Sequence, residues 1–336
     1  MKKIIILFGL LFIMVGCGKN SETAILKKFT SRVDSAKSYQ LTGKLTIIRN
    51  ENKYTYDVTS SYKKSDLFKV NLKNTTNDHE QIILKNKEGV YVLTPNLNKS
   101  FQFKSDWPYN NSQIYLLQPI VTDLKNDKSK KFKSTKKGYI FTTKVNYIND
   151  KNLVKQKIYL DKDANLTKIE VINSNNEKVM IFKIKDIDMN PKFSDNFFKL
   201  DKKYLNETKQ SNSKKQTKSQ EKTKTTSLSE DSVYPMYVPT DTYLSSKDVV
   251  KTDDGERVIM TFAGENPFTL VQGVSSKETD YVYGDPYIVL DTVGAVTDES
   301  VMWVSNNIEY YVTSDVMDTN ELLTVAESIN VKAVSK

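Results

Sequence analysis

The chain has one cysteine and one histidine, and these two residues limit the chemistry that it could perform. With Cys17 as the single cysteine, no intramolecular disulfide can form. The single histidine, His79, cannot build a histidine-rich zinc site. It lies in the polar stretch from Thr75 to Glu80, which is typical of a turn or a strand start. A solvated surface histidine is therefore favoured over a Ser-His-Asp arrangement.

Other catalytic patterns are absent from the sequence. It contains no glycine-rich phosphate loop of either common type. Its 41 acidic residues leave paired carboxylates of the glycosidase kind open, but none of them lies in a recognisable motif. We therefore expect a protein that is not an enzyme and that uses no metal and no cofactor.

The position of Cys17 points to lipid chemistry rather than redox chemistry. Met1-Lys2-Lys3 is a short basic start, and the mostly apolar run from Ile4 to Val15 is shorter than the roughly twenty residues that a membrane-spanning helix needs. Met14-Val15-Gly16-Cys17 resembles the lipobox of bacterial lipoproteins, in which a small residue precedes the lipidated cysteine. Met14 stands where leucine is usual. The alternative is a signal peptide that is cut elsewhere, with Cys17 unmodified.

The lipobox predicts the location of the mature protein. Residues 1–17 are then a signal peptide and lipobox, and Cys17 becomes the lipidated N-terminus. Two or three acyl chains give stable attachment where one gives only marginal binding. We expect a protein that is lipid-anchored to the extracytoplasmic face of the cell membrane.

The net charge of +9 conceals two halves of opposite sign. Residues 1–201 carry a net charge of +16, whereas residues 231–336 carry −12. A basic half can indicate nucleic acid, but an export signal removes that partner from reach. Anionic lipid headgroups and wall polymers remain, as does the alternative that lysine is simply abundant. The opposite charges also predict that the two halves dock, and that the docking weakens with salt.

Hydrophobic periodicity predicts a mainly β protein. Residues 21–37 favour an amphipathic helix that Ser21 caps, and residues 113–124 favour a second helix that Pro119 should kink or split. About ten segments alternate as antiparallel strands do. These segments are residues 41–48, 54–62, 67–72, 81–84, 90–93, 101–103, 139–147, 154–160, 166–172 and 178–187.

Composition predicts two domains joined by a linker. Residues 202–230 are rich in Lys, Thr, Ser, Gln and Asn, which predicts a disordered linker. It separates a domain of residues 21–201 from an acidic α+β domain of residues 231–336. Further strands are predicted at 257–262, 268–272, 287–290, 293–296, 301–304 and 309–312. A final helix is predicted over residues 320–329, with Asp318 as its cap.

Two segments carry a resemblance to a known family. The closing phrase Phe193-Ser194-Asp195-Asn196-Phe197-Phe198-Lys199-Leu200 resembles a segment that ends the half-barrel domain of LolA-like proteins. The second region resembles the C-terminal domain of the YdcC group of sporulation and germination lipoproteins, with GerS-related proteins nearby. The matching stretches are residues 234–239, 255–262 and 321–329.

The resemblance implies a fold and a role. The fold is mainly β (α+β): a curved antiparallel half-barrel sheet with a helical lid, followed by a smaller α+β domain. The role is that of a binding lipoprotein which supports sporulation or germination by binding an envelope or cortex-modifying protein. The alternatives are a lipid- or glycan-binding module, with an acyl chain in the half-barrel, and an envelope-state sensor of the RseB/MucB kind.

The half-barrel cavity that the resemblance implies gives candidate residues for binding a ligand or partner. They are Leu45, Ile47, Tyr54, Tyr56, Tyr91, Ile114, Leu117 and Val121. Several of the nineteen tyrosines fall on adjacent predicted strands, which suits a protein interface or a sugar-contacting face. The alternative is that they are ordinary strand residues.

Overall fold

The computed structural model describes residues 21–49, 52–95, 99–201, 228, 232–252, 255–275 and 279–329. Two of the sequence predictions fall outside these residues. They are the signal peptide with its lipobox at Cys17, and the linker of residues 202–230 apart from residue 228. The division into domains at residues 201 and 231 therefore stays a prediction.

The first helix, α1 (Glu22–Ser35), forms as its sequence predicts. The Ser21 side chain accepts a hydrogen bond from the backbone N–H of Ala24 and so satisfies one of the unpaired donors of the first turn. Ile25, Phe29 and Val33 lie on one face and are buried. This apolar face fixes the helix against the large sheet.

Eleven strands of the N-terminal region, counted among the described residues, form one large sheet. They are β1 (Ser38–Arg49), β2 (Asn52–Lys63), β3 (Leu67–Asn74), β4 (Glu80–Asn86), β5 (Gly89–Thr94), β6 (Lys99–Phe103), β7 (Lys131–Thr135), β8 (Gly138–Lys144), β9 (Leu153–Leu160), β10 (Leu166–Asn173) and β11 (Lys178–Asp188). All eleven pair antiparallel, in the order β6-β5-β4-β3-β2-β1-β11-β10-β9-β8-β7. The chain thus runs out along one half of the sheet and returns along the other.

The central pairing of β1 with β11 depends on Gly43. The register shifts between Thr42 and Gly43, which marks a β-bulge. A Cβ atom at Gly43 would lie 2.5 Å from the Lys183 carbonyl oxygen and 2.6 Å from the Phe182 ring. Only glycine permits this close approach of the two strands.

The second helix, α2 (Leu117–Asn126), lies beside α1 as a lid over the sheet. The sequence predicted a helix over residues 113–124 that Pro119 kinks or splits. Instead, residues 113–116 are not helical and the helix begins at Leu117. Pro119 is its third residue, where the backbone N–H has no partner within a helix and its absence costs little.

The C-terminal region forms a second sheet and one helix. Its strands are β12 (Thr242–Thr252), β13 (Gly255–Gly264), β14 (Phe268–Val274), β16 (Asp285–Val289), β17 (Thr292–Val296), β18 (Ser300–Ser305) and β19 (Ile308–Thr313). They pair antiparallel in the order β12-β13-β14-β19-β18-β17-β16. Helix α3 (Thr319–Glu327) packs against β16, β18 and β19, and Asp318 caps it as predicted.

The two regions share structure. Strand β15 (Thr279–Val282) leaves the C-terminal region and pairs parallel with β6, extending the large sheet to twelve strands. Val293, Ala295 and Val304 belong to the same apolar core as the large sheet. The two regions are thus in contact through apolar packing and strand pairing. The salt-dependent docking that the opposite charges predict stays a prediction.

The predicted fold class is confirmed. The chain is mainly β, with a bent antiparallel sheet under a helical lid and a smaller sheet with one helix. Among the described residues, no helix combines the length and the apolar character needed to cross a membrane.

Candidate binding site

Most of the predicted cavity residues meet in one apolar core beneath the lid. Those inside it are Leu45, Ile47, Tyr56, Ile114, Leu117 and Val121. Tyr54 is partly buried and packs against the same core. They come together because alternate residues of β1 and β2 face the helices, and Leu45 lies directly opposite Tyr56.

Tyr91 lies apart from this group. Its neighbours Val90 and Val92 point into the main core, so Tyr91 faces the other side of the sheet. There it packs with Leu84 and Phe198 in a separate cluster. The structure therefore does not bring Tyr91 together with the other predicted site residues.

A small cavity lies beside the core beneath the lid. A cavity beside Ile114 and Tyr115 has a volume of about 30 Å³. That is about the volume of one water molecule in the liquid. Pockets for small-molecule ligands occupy roughly 300–1,000 Å³, so this cavity could not receive an acyl chain.

A larger groove opens at the edge of the lid. It has a volume of about 610 Å³ and lies between α1, the first residue of α2 and the end of β11. Phe29, Val33, Leu117 and Met189 give it apolar walls, and Arg32 stands at its rim. Leu117 is thus the predicted cavity residue that lines an open space.

Tyr39 and Asp123 connect the lid to its surroundings through four hydrogen bonds. The Tyr39 hydroxyl donates to Gln118 Oε1 at 2.8 Å and accepts from the Leu117 N–H at 3.2 Å. Asp123 accepts hydrogen bonds from Ser112 at 2.8 Å and from the Gln156 side chain at 2.7 Å. Burial raises the pKa of Asp123 to about 6, although these hydrogen bonds oppose the rise.

An ion cluster joins the large sheet to the C-terminal region. Arg49 Nη2 lies 3.0 Å from Asp150 Oδ2, and Arg49 Nε lies 3.1 Å from Glu327 Oε1. The Tyr287 hydroxyl accepts from Arg49 and donates to Asp150, both at 2.9 Å. Burial alone would lower the pKa of Arg49, but the neighbouring Tyr287, Glu327 and Asp150 raise it above its usual range. Arg49 therefore stays charged.

Two further polar residues tie the regions together. The Gln81 side chain accepts from the Val293 N–H at 2.5 Å and donates to the Val293 carbonyl at 3.2 Å, so it pairs like a strand backbone. The fully buried Lys99 lies 2.5 Å from Asp280 and 2.9 Å from Glu309. The sequence analysis did not predict any of these pairs. The opposite net charges of the two halves indicated only that the halves attract each other.

The second sheet ends in an apolar surface that none of the three described helices covers. Leu244 and Val249 of β12 lie opposite Phe262 and Val258, whose side chains are buried. They therefore point toward the side that α3 covers elsewhere, yet they are 40% and 45% exposed. Helix α3 packs on β16, β18 and β19, at the other end of the sheet.

One more apolar side chain extends this surface. Lys247 Nζ lies 5.3 Å from the ring centroid of Tyr234, which places that ring over the same face of β12. Met236, two residues later, is exposed near the end of α3, where its N–H donates to the Ser328 carbonyl. We name Tyr234, Leu244 and Val249 the β12 surface. Sequence reasoning missed β12, because an exposed strand carries no buried apolar pattern.

The remaining candidate residues show no catalytic arrangement. His79 directly precedes β4, and its carbonyl accepts a hydrogen bond from the Asn74 N–H at 2.9 Å. Over the described ranges, no group of three or more His, Cys, Asp and Glu side chains could hold a metal ion. Cys17 lies outside these ranges.

Comparison with known proteins gives one close relative. No family model matches the chain. The sporulation protein YdcC of Bacillus subtilis (strain 168) is 32% identical over 333 residues, which cover 97% of this chain and 96% of that protein.

Similar solved structures are more distant. They include the Pseudomonas aeruginosa MucA/MucB complex, at 12% identity and a TM-score of 0.32, covering 92% of this chain and 98% of that one. A chain from the complex of the CwlD amidase with the GerS lipoprotein of Clostridioides difficile has 17% identity and a TM-score of 0.30, covering 51% and 97%. A LolA superfamily protein from Nitrosomonas europaea has 12% identity and a TM-score of 0.31, covering 52% and 96%. Similarities at this level carry no functional argument.

Proposed function

The chain belongs to the family of the sporulation protein YdcC, and from this membership we propose that it is a membrane-tethered, extracytoplasmic protein that supports sporulation or germination by binding a protein partner. Cys17 is the proposed lipid attachment site. Catalysis is not part of the proposal, since the chain acts by holding a partner near the membrane.

The observation that carries the proposal is the β12 surface. Covering apolar surface stabilises a complex by about 25 cal/mol for each Å² removed from water, so these exposed side chains suit a partner that covers them. One of the three residues is a tyrosine, a residue type that is enriched at protein interfaces. As an edge strand, β12 also presents backbone groups that a partner strand can pair with.

A second candidate function is acyl-chain binding, and one observation favours it. The groove of about 610 Å³ beside Leu117 has apolar walls and a cationic rim residue, Arg32. The cavity of about 30 Å³ beside Ile114 is too small for such a chain, so the groove is where it would lie. Protein binding is preferred because the β12 surface suits a protein partner.

Site-specific photo-crosslinking tests the proposed partner surface. A benzophenone amino acid at Val249 should give a discrete crosslinked protein in sporulating cells. The same group at Val316, which is exposed on the loop between β19 and α3, should not. Identical crosslinks at both positions, or none at either, would contradict the proposal.

A matched pair of charge variants tests the role. Leu244→Lys combined with Val249→Lys should impair sporulation or germination while the chain accumulates at its normal level. Val316→Lys is the control and should leave both processes unchanged. Normal sporulation and germination of the double variant would remove the β12 surface from the function.

A further inference from the structure

A second surface on the molecule carries exposed aromatic rings of a different kind. Tyr281 of β15 is 76% exposed and Tyr283, two residues later, is 73% exposed. Strand β15 ends at Val282, and both tyrosines line one groove together with Gln102 and Lys104, so the two rings belong to one site. Scattered single exposed rings are common on proteins, whereas neighbouring rings beside a groove suit a ligand contact.

Polar side chains lie beside these rings on the same face of the large sheet, and strand pairing fixes their positions. We call these side chains the floor of the site. Tyr281 lies opposite Gln102 of β6, and Gln102 lies opposite Tyr91 of β5. Lys104 continues this face, and its Nζ lies 5.5 Å from the ring centroid of Tyr283. The strand pairing and the contact between Lys104 and Tyr283 therefore bring two rings, an amide and an ammonium group together on one surface.

A groove of about 420 Å³ runs between this floor and the turn that precedes β5. Glu88 and Gly89 form its other wall. Gly89 has a φ of +148°, and a Cβ atom there would point toward Gln102 Nε2 at 3.4 Å. The missing side chain thus keeps the groove open above the amide.

We propose that this groove between Glu88, Gln102, Lys104, Tyr281 and Tyr283 binds a saccharide. The CH-bearing face of a pyranose ring can pack on an exposed tyrosine ring, while hydroxyl and acetamido groups need donors and acceptors at the rim. Gln102 and Glu88 supply acceptors, and Gln102 and Lys104 supply donors. The volume lies within the range of roughly 300–1,000 Å³ that is typical of small-ligand sites.

The groove differs from the β12 surface in the property that selects the ligand. The β12 surface is mostly apolar, whereas the groove combines rings with amide and charged groups. A saccharide needs this mixture, because each ring offers one apolar face and a polar edge. The site is independent of the proposed protein partner.

Co-sedimentation of the purified full chain with insoluble chitin and with cellulose tests the site. The two polymers share pyranose faces, but only chitin carries acetamido groups, so they separate the two sources of binding. We expect retention on at least one polymer and release by the matching soluble tetrasaccharide. Absence of retention on both polymers would overturn the proposal.

Variants then locate the binding. Tyr281→Ala and Tyr283→Ala should each weaken retention about three- to tenfold, as the loss of one aromatic contact does. Tyr281→Phe keeps the ring and should retain the polymer. Tyr243→Ala removes an exposed tyrosine of β12 and should have no effect. Equal loss in Tyr243→Ala, or unchanged retention in Tyr281→Ala, would overturn the assignment.

The two proposals fail separately. A chain that gives no crosslink at Val249 but is still retained on the polymer would contradict the protein-partner proposal and support the saccharide site. If Tyr281→Ala abolished crosslinking to the protein partner without any change in polymer retention, this face would belong to the protein interface and the saccharide proposal would be wrong.

Discussion

Arg49 of β1 and Glu327 of α3 form an ion pair across the junction of the two regions, with Nε 3.1 Å from Oε1. Both side chains are 12% exposed. Burial raises the pKa of Glu327, and the positive charge of Arg49 acts in the opposite direction. Arg49 therefore favours the ionised form of the Glu327 carboxylate.

Arg49→Ala should destabilise the protein by about 3 to 5 kcal/mol, because it leaves Asp150 and Glu327 as unpaired buried carboxylates. Urea unfolding of the variant and the parent measures the difference. Lys44→Ala, on the same strand as Arg49, is the control. It removes the ion pair between Lys44 and Asp57 of β2, and both of these side chains are mostly exposed. That change should cost about 0 to 1 kcal/mol. Equal effects of the two substitutions would contradict a special role for the junction.

Asp123→Asn should stabilise the protein at pH 8 by about 1 to 3 kcal/mol relative to the parent. The pKa of Asp123 is raised to about 6 in the folded state, from an ordinary value of 3.8. The folded state thus binds the proton more tightly than the unfolded state does. In the parent, the stabilisation that this proton gives is complete below pH 4 and is lost as the pH rises through 6. Asparagine mimics the protonated form at every pH. The difference in unfolding free energy should therefore vanish near pH 4.

Asp127→Asn is the matched substitution with the opposite expectation. Burial would raise the pKa of Asp127, but hydrogen bonds from Ser129, the Lys144 N–H and Thr143 hold it well below its usual range. Such a carboxylate stabilises the fold above its ordinary pKa and loses that effect as the pH falls. Asp127→Asn should destabilise the protein at pH 8. Two variants that shift stability in the same direction at pH 8 would show that the carboxylates are not distinguished as described.

Cleavage within the predicted linker should leave the two regions bound to each other. The composition of residues 202–224 predicts preferred trypsin sites at its lysines. Because Val293 and Ala295 lie in the core of the large sheet, and β15 pairs with β6, the two fragments should elute together even at 1 M NaCl. Salt at that concentration screens exposed charges beyond about 3 Å but leaves apolar packing intact. Separate elution at high salt would favour the charge-driven docking that the net charges alone predict.

The elements that the sequence predicted best combine a cap with a buried face. Helices α1 and α3 begin after Ser21 and Asp318, as predicted, because each cap side chain accepts from a backbone N–H of the first turn. The antiparallel strands of the large sheet follow the alternation of Leu41, Leu45 and Ile47, all of which are buried. Local chemistry determined these elements.

The elements that the sequence missed lack such local signals. Strand β12 is exposed on both faces, β7 is rich in lysine, and β15 has four residues that pair with a strand far away in the chain. Tyr91 lies on a strand that is buried on both faces, so alternation could not assign its side. The junction pairs depend on tertiary contacts between distant residues, and the saccharide groove combines β5, β6 and β15 in the same way.

Cys17→Ala should release the protein from membranes without changing its fold. The sequence after Cys17 contains no run of about twenty apolar residues, so the acyl chains would be the membrane attachment. Fractionation of cells, followed by a high-salt wash, should find the variant in the soluble fraction with an unchanged melting temperature. Met14→Leu restores the usual lipobox residue and should stay fully membrane-bound. If Cys17→Ala remained in the washed membranes, the lipid anchor would be wrong, and attachment would have to come from a bound partner or from the groove beside Leu117.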